Sequence, residues 1–146
     1  MKKGFTLIEV IIATAVFALF SIGVYQGYFA VYAAIVSARE KAMAADIANA
    51  HFEIIKNLPY SSVGTVGGNP SGVVTASQNI VRDSISFAVT TTILNVDDPF
   101  DGLSGGADPI PADYKLVEVR VACASCKNFS TMIITGRVAP LNLESI

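Results

Sequence analysis

The residue types that could carry chemistry are few in this chain and lie in three places. Cys123 and Cys126 form a C-x-x-C pair, five aspartates fall between positions 97 and 113, and His51 is the single histidine. A C-x-x-C pair can be a redox couple, half of a zinc site or a structural disulfide. Clustered carboxylates can hold calcium, which takes about six to eight oxygen ligands.

The residues available around the cysteine pair favour a structural disulfide. A redox C-x-x-C belongs before a helix in a thioredoxin-like βαβ unit, and the sequence supplies no such unit. Zinc would need two further Cys or His ligands, and His51 is the only one left. We therefore predict that Cys123 and Cys126 form a disulfide that clips the turn of a β-hairpin, with a reduced pair as the alternative.

The aspartate-rich segment does not fit the EF-hand pattern. Pro99 occupies the third position of a loop that would begin at Asp97, and no glutamate follows to bind calcium through both carboxylate oxygens. We interpret this segment as a solvated surface loop stiffened by proline. Asp97, Asp98 and Asp101 stay the weak candidates for calcium ligands.

The composition bounds the classes of protein to be considered. The 146 residues are 52% hydrophobic and 15% charged, with a formal charge of −2 and a mean hydropathy of +0.53. Such a chain is too apolar to be disordered or an ordinary cytosolic domain, and too short for a multidomain enzyme. The slightly acidic balance gives no electrostatic footprint for nucleic acid. A single histidine, with no nucleophile elbow or phosphate-binding loop, argues against an enzyme, and no cofactor is expected.

The apolar excess is concentrated near the N-terminus. From Val10 to Ala38 no residue carries a charge, and about 20 apolar residues suffice to cross a bilayer. Lys2 and Lys3 precede this segment, which predicts a cytoplasmic N-terminus and a head on the far side of the membrane, where disulfides persist. A secretory signal peptide is the alternative, but its apolar core is usually about 7–15 residues.

Glu9 stands near the start of the apolar segment, where an ionised side chain is unexpected. A carboxylate at the centre of a bilayer costs at least about 2.5 kcal/mol, so such a residue usually has a partner. The sequence from Lys2 to Val10, KKGFTLIEV, resembles the leader of type IV pilins and type II secretion pseudopilins. The resemblance implies that a prepilin peptidase cleaves after Gly4 and methylates the new amine of Phe5. It also implies that Glu9 pairs with that amine on a neighbouring subunit.

The resemblance and the hydrophobic periodicity together predict an α+β protein with the type IV pilin fold. The expected divisions are a leader at 1–4, a helix at 5–58 that crosses the membrane over about 5–30, and a β-rich head at 59–146. Pro59 ends the helix because proline cannot continue its hydrogen-bond ladder. In the second half of the helix, residues at three- and four-residue steps predict an apolar stripe: Met43, Ile47, Ala50, His51, Ile54 and Leu58.

The head is predicted to contain three antiparallel strands that cover this stripe. Alternating apolar residues indicate strands around 85–93 and 114–123, and a third segment lies at 129–138. The cysteine pair would then lie in the turn between the second and third strands.

The resemblance implies a structural subunit, and its extension beyond the leader favours a minor pilin of a type IV pilus. Segments 47–53, 57–60, 97–102 and 113–119 are similar to minor pilins of the pilus modification type. The alternatives are a minor pseudopilin of a type II secretion system and a membrane-anchored binding module that does not polymerise. The implied partners are other pilin subunits, a prepilin peptidase, the inner-membrane assembly platform and the membrane itself. The implied location is the cell membrane, single-pass, and then an extracellular filament.

Overall fold

The computed structural model describes residues 4–97, 99, 113–127 and 129–140. A long helix, α1 (Leu7–Lys56), is followed by a short 3-10 helix (Tyr60–Ser62) and a sheet. The strands are β1 (Ser77–Arg82), β2 (Ile85–Val96), β3 (Tyr114–Ala122) and β4 (Met132–Val138). A long N-terminal helix followed by a four-stranded antiparallel sheet is consistent with the type IV pilin fold, so the predicted fold class is confirmed.

The chain divides into two compact units, residues 1–39 and residues 40–146. The first unit holds the apolar part of α1. The second holds the amphipathic end of α1, the connecting segment and the sheet.

The sheet has the order β1-β2-β3-β4, with every neighbouring pair antiparallel. One strand, β1, was not among the three predicted from the sequence. Its residues are mostly polar, and it joins β2 through a two-residue turn at Asp83 and Ser84, which have φ angles of 46° and 65°. Positive φ at both central residues is the geometry of a type I′ hairpin turn, which usually contains glycine or asparagine. Because the turn contains neither residue, the sequence did not predict this hairpin.

Alternate residues of the two central strands are buried on the face that packs against α1. The buried residues of β2 and β3 include Phe87, Val89, Thr91, Ile93, Val117, Val119 and Val121. Because successive side chains of a strand point to opposite faces, the two-residue period in the sequence identified this inner face correctly.

The face of α1 that enters the core differs from the predicted stripe. Ala44, Ile47, Ala48 and Ile55 are buried, whereas Ile54 is 62% exposed. Two alanines four residues apart lie above one another on the helix and leave room for the sheet to approach. The core face is therefore rotated towards these small residues and away from Ile54, which sequence reasoning had placed inside.

Helix and sheet approach each other closely at Gly136 of β4. A Cβ atom built on Gly136 would overlap the Phe52 ring of α1. Phe52 packs against the edge of the hydrophobic core. The lack of a side chain at Gly136 therefore creates the space that the Phe52 ring occupies.

Candidate functional site

The N-terminal end of α1 carries the three residues that the sequence assigned to processing and assembly. Gly4 and Phe5 precede the helix, and Phe5 is 84% exposed. Thr6 caps the helix, because its hydroxyl accepts from the backbone N–H of Glu9 at 3.4 Å and its carbonyl accepts from the same N–H at 3.1 Å. The helix consequently begins at Leu7, two residues after the predicted cleavage point.

Glu9 lies in the first turn of α1. A carboxylate there is favoured by the partial positive charge at the helix N-terminus. Within the part of the chain that the structure describes, no side chain pairs with the Glu9 carboxylate. The start of α1 thus provides a favourable electrostatic environment for this charge.

The apolar half of α1 is exposed along its length. The structure describes one helix that is long and apolar enough to cross a membrane, and none of its most apolar 18-residue window is buried. Exposed apolar patches on soluble monomers rarely exceed a few hundred Å². A surface of this kind needs lipid or other protein to cover it, and this agrees with membrane anchoring.

Cys123 and Cys126 form a disulfide in the segment between β3 and β4, with Cα atoms 5.5 Å apart. Both cysteines pack against the hydrophobic core, as does Phe129 just beyond them. The Phe129 ring meets the fully buried Phe87 ring edge-on, with centroids 6.3 Å apart. The disulfide therefore closes the turn that brings Phe129 back onto the core.

The calcium candidates fall mostly outside the described residues. Asp97 is described and half-buried, whereas Asp98 and Asp101 are not described. Over residues 4–97, 99, 113–127 and 129–140, no group of three metal-ligating side chains comes together. The calcium hypothesis therefore gains no support from the described part of the head.

His51 packs on the core-facing side of α1. Its Nε2 atom contacts the Gln78 side-chain amide of β1. A cavity of about 210 Å³ beside it is lined mainly by apolar side chains, including Ile55, Leu58 and Val74. This setting fits a packing residue that ties the helix to the edge strand.

Sequence reasoning missed Lys115, which is a buried cation at the start of β3. Its Nζ atom donates to the carbonyls of Tyr60 at 2.8 Å and Val63 at 2.6 Å. Burial lowers the pKa of the Lys115 ammonium from its ordinary value. The pKa of the Tyr60 hydroxyl is raised, first by burial and then by the negative charge of Asp113. The signal was available, because the alternation of β3 puts position 115 on the same face as Val117.

Thr6 was also overlooked as a cap. The pattern Thr6-x-x-Glu9 is a capping-box sequence, and it directly precedes the apolar helix. Both residues also belong to the leader motif, and the prediction based on that motif did not include a role in starting the helix.

Comparison with known proteins identifies one segment of the chain. Residues 1–25 match the model of the prokaryotic N-terminal methylation motif. This segment includes Gly4, Phe5 and Glu9, and the match supports a protein of the type IV pilin or pseudopilin kind. No curated protein and no solved structure matches the chain.

Proposed function

We propose that this chain, which bears the N-terminal methylation motif over residues 1–25, is a minor pilin subunit of a type IV pilus. A prepilin peptidase removes residues 1–4 and methylates the new amine of Phe5. The mature subunit then enters the filament through α1. The proposal rests on one observation. The motif runs directly into an exposed helix that has no charged residue from Val10 to Ala38.

The exposed apolar half of α1 gives a physical reason for assembly. Before assembly the lipid bilayer covers this surface, and in the filament the helices of neighbouring subunits cover it. Glu9 then meets the methylated Phe5 amine of another subunit. An isolated buried charge is costly, whereas a paired one loses much of that penalty, so the pair favours one axial position over others.

The head comprises residues 59–146. With the N-terminus in the cytoplasm, the head lies outside the inner membrane and, after assembly, on the filament surface. The subunit contacts the assembly platform in the inner membrane, and it primes assembly or lies at or near the filament tip. The disulfide between Cys123 and Cys126 is compatible with an oxidising compartment.

The experiment is to shear filaments from intact cells and quantify this chain against the most abundant subunit by mass spectrometry. A minor pilin is expected in the filament fraction at a small fraction of the abundance of that subunit. The proposal would be contradicted if cells that bear filaments yielded the chain from their membranes and not from the filament fraction. A deletion strain that keeps its filaments but loses protein secretion would instead favour the minor pseudopilin.

A further inference from the structure

One face of α1 carries an aromatic cluster composed of Tyr25, Tyr28, Phe29 and Tyr32. Positions 25, 28 and 32 are three and then four residues apart, so their side chains lie on one side of the helix. Ring centroids are 4.6 Å apart for Tyr25 and Phe29, 5.7 Å for Tyr28 and Phe29, and 6.5 Å for Tyr28 and Tyr32. The three tyrosines are between 58% and 65% exposed. The cluster therefore forms a continuous aromatic surface that faces away from the helix.

A shallow groove, largely open to its surroundings, runs from this cluster towards the N-terminus of α1. Its volume is about 470 Å³, and its lining consists of Phe17, Phe20, Ser21, Val24, Tyr25 and Tyr28. The Ser21 hydroxyl donates to the Phe17 carbonyl at 2.8 Å, so its donor is satisfied within the helix. The groove is thus lined by apolar groups at one end and reaches tyrosine side chains at the other, which matches a hydrocarbon chain that leads to a polar head.

The position of the tyrosines along α1 agrees with the thickness of a bilayer. At 1.5 Å per residue from Leu7, Phe17 lies at about 15 Å, Tyr25 at about 27 Å and Tyr32 at about 38 Å along the helix. The hydrocarbon core of a bilayer is about 30 Å thick. Phe17 then falls near the middle of the core, and the tyrosines bracket its far boundary, where tyrosine is enriched in membrane proteins.

Resting on the membrane anchoring in the proposed function, we propose that Tyr25, Tyr28 and Tyr32 bind phospholipid in the outer leaflet of the inner membrane. One acyl chain lies in the groove above Ser21, and the tyrosine hydroxyls hydrogen-bond at the level of the glycerol esters and phosphate. Because the tyrosines lie on one side of α1, this contact fixes both the depth and the rotation of the unassembled helix.

The chain contains no tryptophan, so a single introduced tryptophan reports its own depth. The experiment uses the full chain at a high lipid-to-protein ratio, in phospholipid vesicles with bromine at defined depths. Tyr28→Trp places the reporter in the tyrosine cluster, and Phe17→Trp is the matched control at mid-membrane. We expect Tyr28→Trp fluorescence to be quenched most by bromine near the glycerol, and Phe17→Trp fluorescence by bromine near the chain ends.

A second set of variants tests whether the tyrosines themselves set the depth. In the Tyr28→Trp background, Tyr25→Leu with Tyr32→Leu is expected to move the strongest quenching towards the chain ends. The conservative changes Tyr25→Phe and Tyr32→Phe are expected to shift it less, because the rings stay. An unchanged quenching profile with both leucines in place would overturn the proposed role of these residues.

The remaining outcomes separate this inference from the membrane anchoring on which it rests. If Phe17→Trp is quenched as expected while Tyr28→Trp is quenched most by bromine at the chain ends, or by no brominated lipid, the anchoring stands and the lipid contact is overturned. Quenching of Tyr28→Trp that rises as the protein is diluted with lipid shows a second copy of α1 as the occupant and also overturns it. Absence of lipid quenching in both variants overturns the anchoring itself.

Discussion

The ammonium of Lys115 lies 4.5 Å from the centroid of the Tyr60 ring and donates to the Tyr60 carbonyl. A second bond to the Val63 carbonyl places the same ammonium across both ends of the short 3-10 helix (Tyr60–Ser62) that follows α1. Only 7% of Lys115 is exposed. This residue therefore fastens the segment between α1 and the sheet to the start of β3.

Replacement of Lys115 should destabilise the head. Lys115→Met keeps the length of the side chain but removes the donor to the Val63 carbonyl, and an unsatisfied buried polar group costs about 1–3 kcal/mol. The Tyr60 carbonyl loses one of its two donors and still accepts from the Val63 N–H. We expect a lower midpoint in urea for the full chain in detergent micelles. Lys127→Met is the matched control, because Lys127 is exposed in the turn after the disulfide. Equal midpoints for the two variants would contradict the role of Lys115.

Lys115 and Tyr60 should give the head opposite responses to alkaline pH. Because burial lowers the pKa of Lys115 from 10.5, the unfolded chain binds that proton more tightly, and the free energy of unfolding rises with pH up to about 10.5. Burial and Asp113 raise the pKa of Tyr60 from 10.0, so the folded chain holds that proton longer and stability falls as pH rises above 10.0.

The measurement for these two groups is the urea midpoint as a function of pH, from neutral to above 10.5. In Lys115→Met the urea midpoint should no longer rise with pH. In Tyr60→Phe the midpoint should fall less above pH 10.0 than in the wild type. A wild-type profile that matches that of Lys115→Met at every pH would show that Lys115 does not contribute.

A side chain at Gly136 should weaken the packing of helix against sheet. Gly136→Val places methyl groups where the Phe52 ring lies, and overpacking of this kind costs about 1–3 kcal/mol. Phe52→Ala in the same chain removes the obstacle and should recover part of that loss. A double-mutant cycle of unfolding free energies measures the coupling, with the exposed Thr135→Ala as a control. Additive effects of the two changes would contradict the proposed contact.

Loss of the disulfide should cost little stability. A loop as short as the one between Cys123 and Cys126 gains about 2 kcal/mol at most in the chain-entropy model. Cys123→Ser with Cys126→Ser should therefore lower the midpoint only slightly, and reduction of the wild type should have the same effect. Phe129 should become more accessible to protease cleavage in both cases. Complete unfolding of the double variant would show that the disulfide holds more than its turn.

The sequence predicted those helices and strands whose own residues show a clear hydrophobic pattern. The alternation of Val117, Val119 and Val121 follows directly from the pleat of a strand, and the long apolar helix follows from its composition. The strand β1 has no such signal. It is held by pairing with β2, and Arg82 at its end bonds Asp46 of α1 at 2.8 Å, a contact between residues far apart in sequence.

Tertiary packing also decides which face of α1 is buried and that Lys115 is buried. Periodicity identified one apolar side of α1 but could not tell that Ala44 and Ala48 would be buried in preference to Ile54, since that choice depends on how closely the sheet approaches. The burial of Lys115 depends on carbonyls of Tyr60 and Val63, which precede it by more than 50 residues. The residues of the N-terminal site, by contrast, form one contiguous motif.

Removal of the charge at Glu9 should impair assembly and leave membrane insertion intact. Glu9→Gln keeps the size of the side chain but cannot form an ion pair with the Phe5 amine of a neighbour. We expect a strong loss of the chain from sheared filaments while its level in the membrane is maintained. Glu53→Gln is the matched control, because Glu53 lies on the exposed polar face of α1. Equal incorporation of both variants would remove Glu9 from the assembly mechanism.

The intact mass of the native protein extracted from membranes shows whether the chain is cleaved after Gly4. We expect the mass of residues 5–146 with one added methyl group, and an unshortened chain for Gly4→Asp. A native mass for the whole chain would indicate a permanent anchor. Loss of about 15–30 residues would indicate an ordinary signal peptide. Either of these two results would contradict cleavage by a prepilin peptidase.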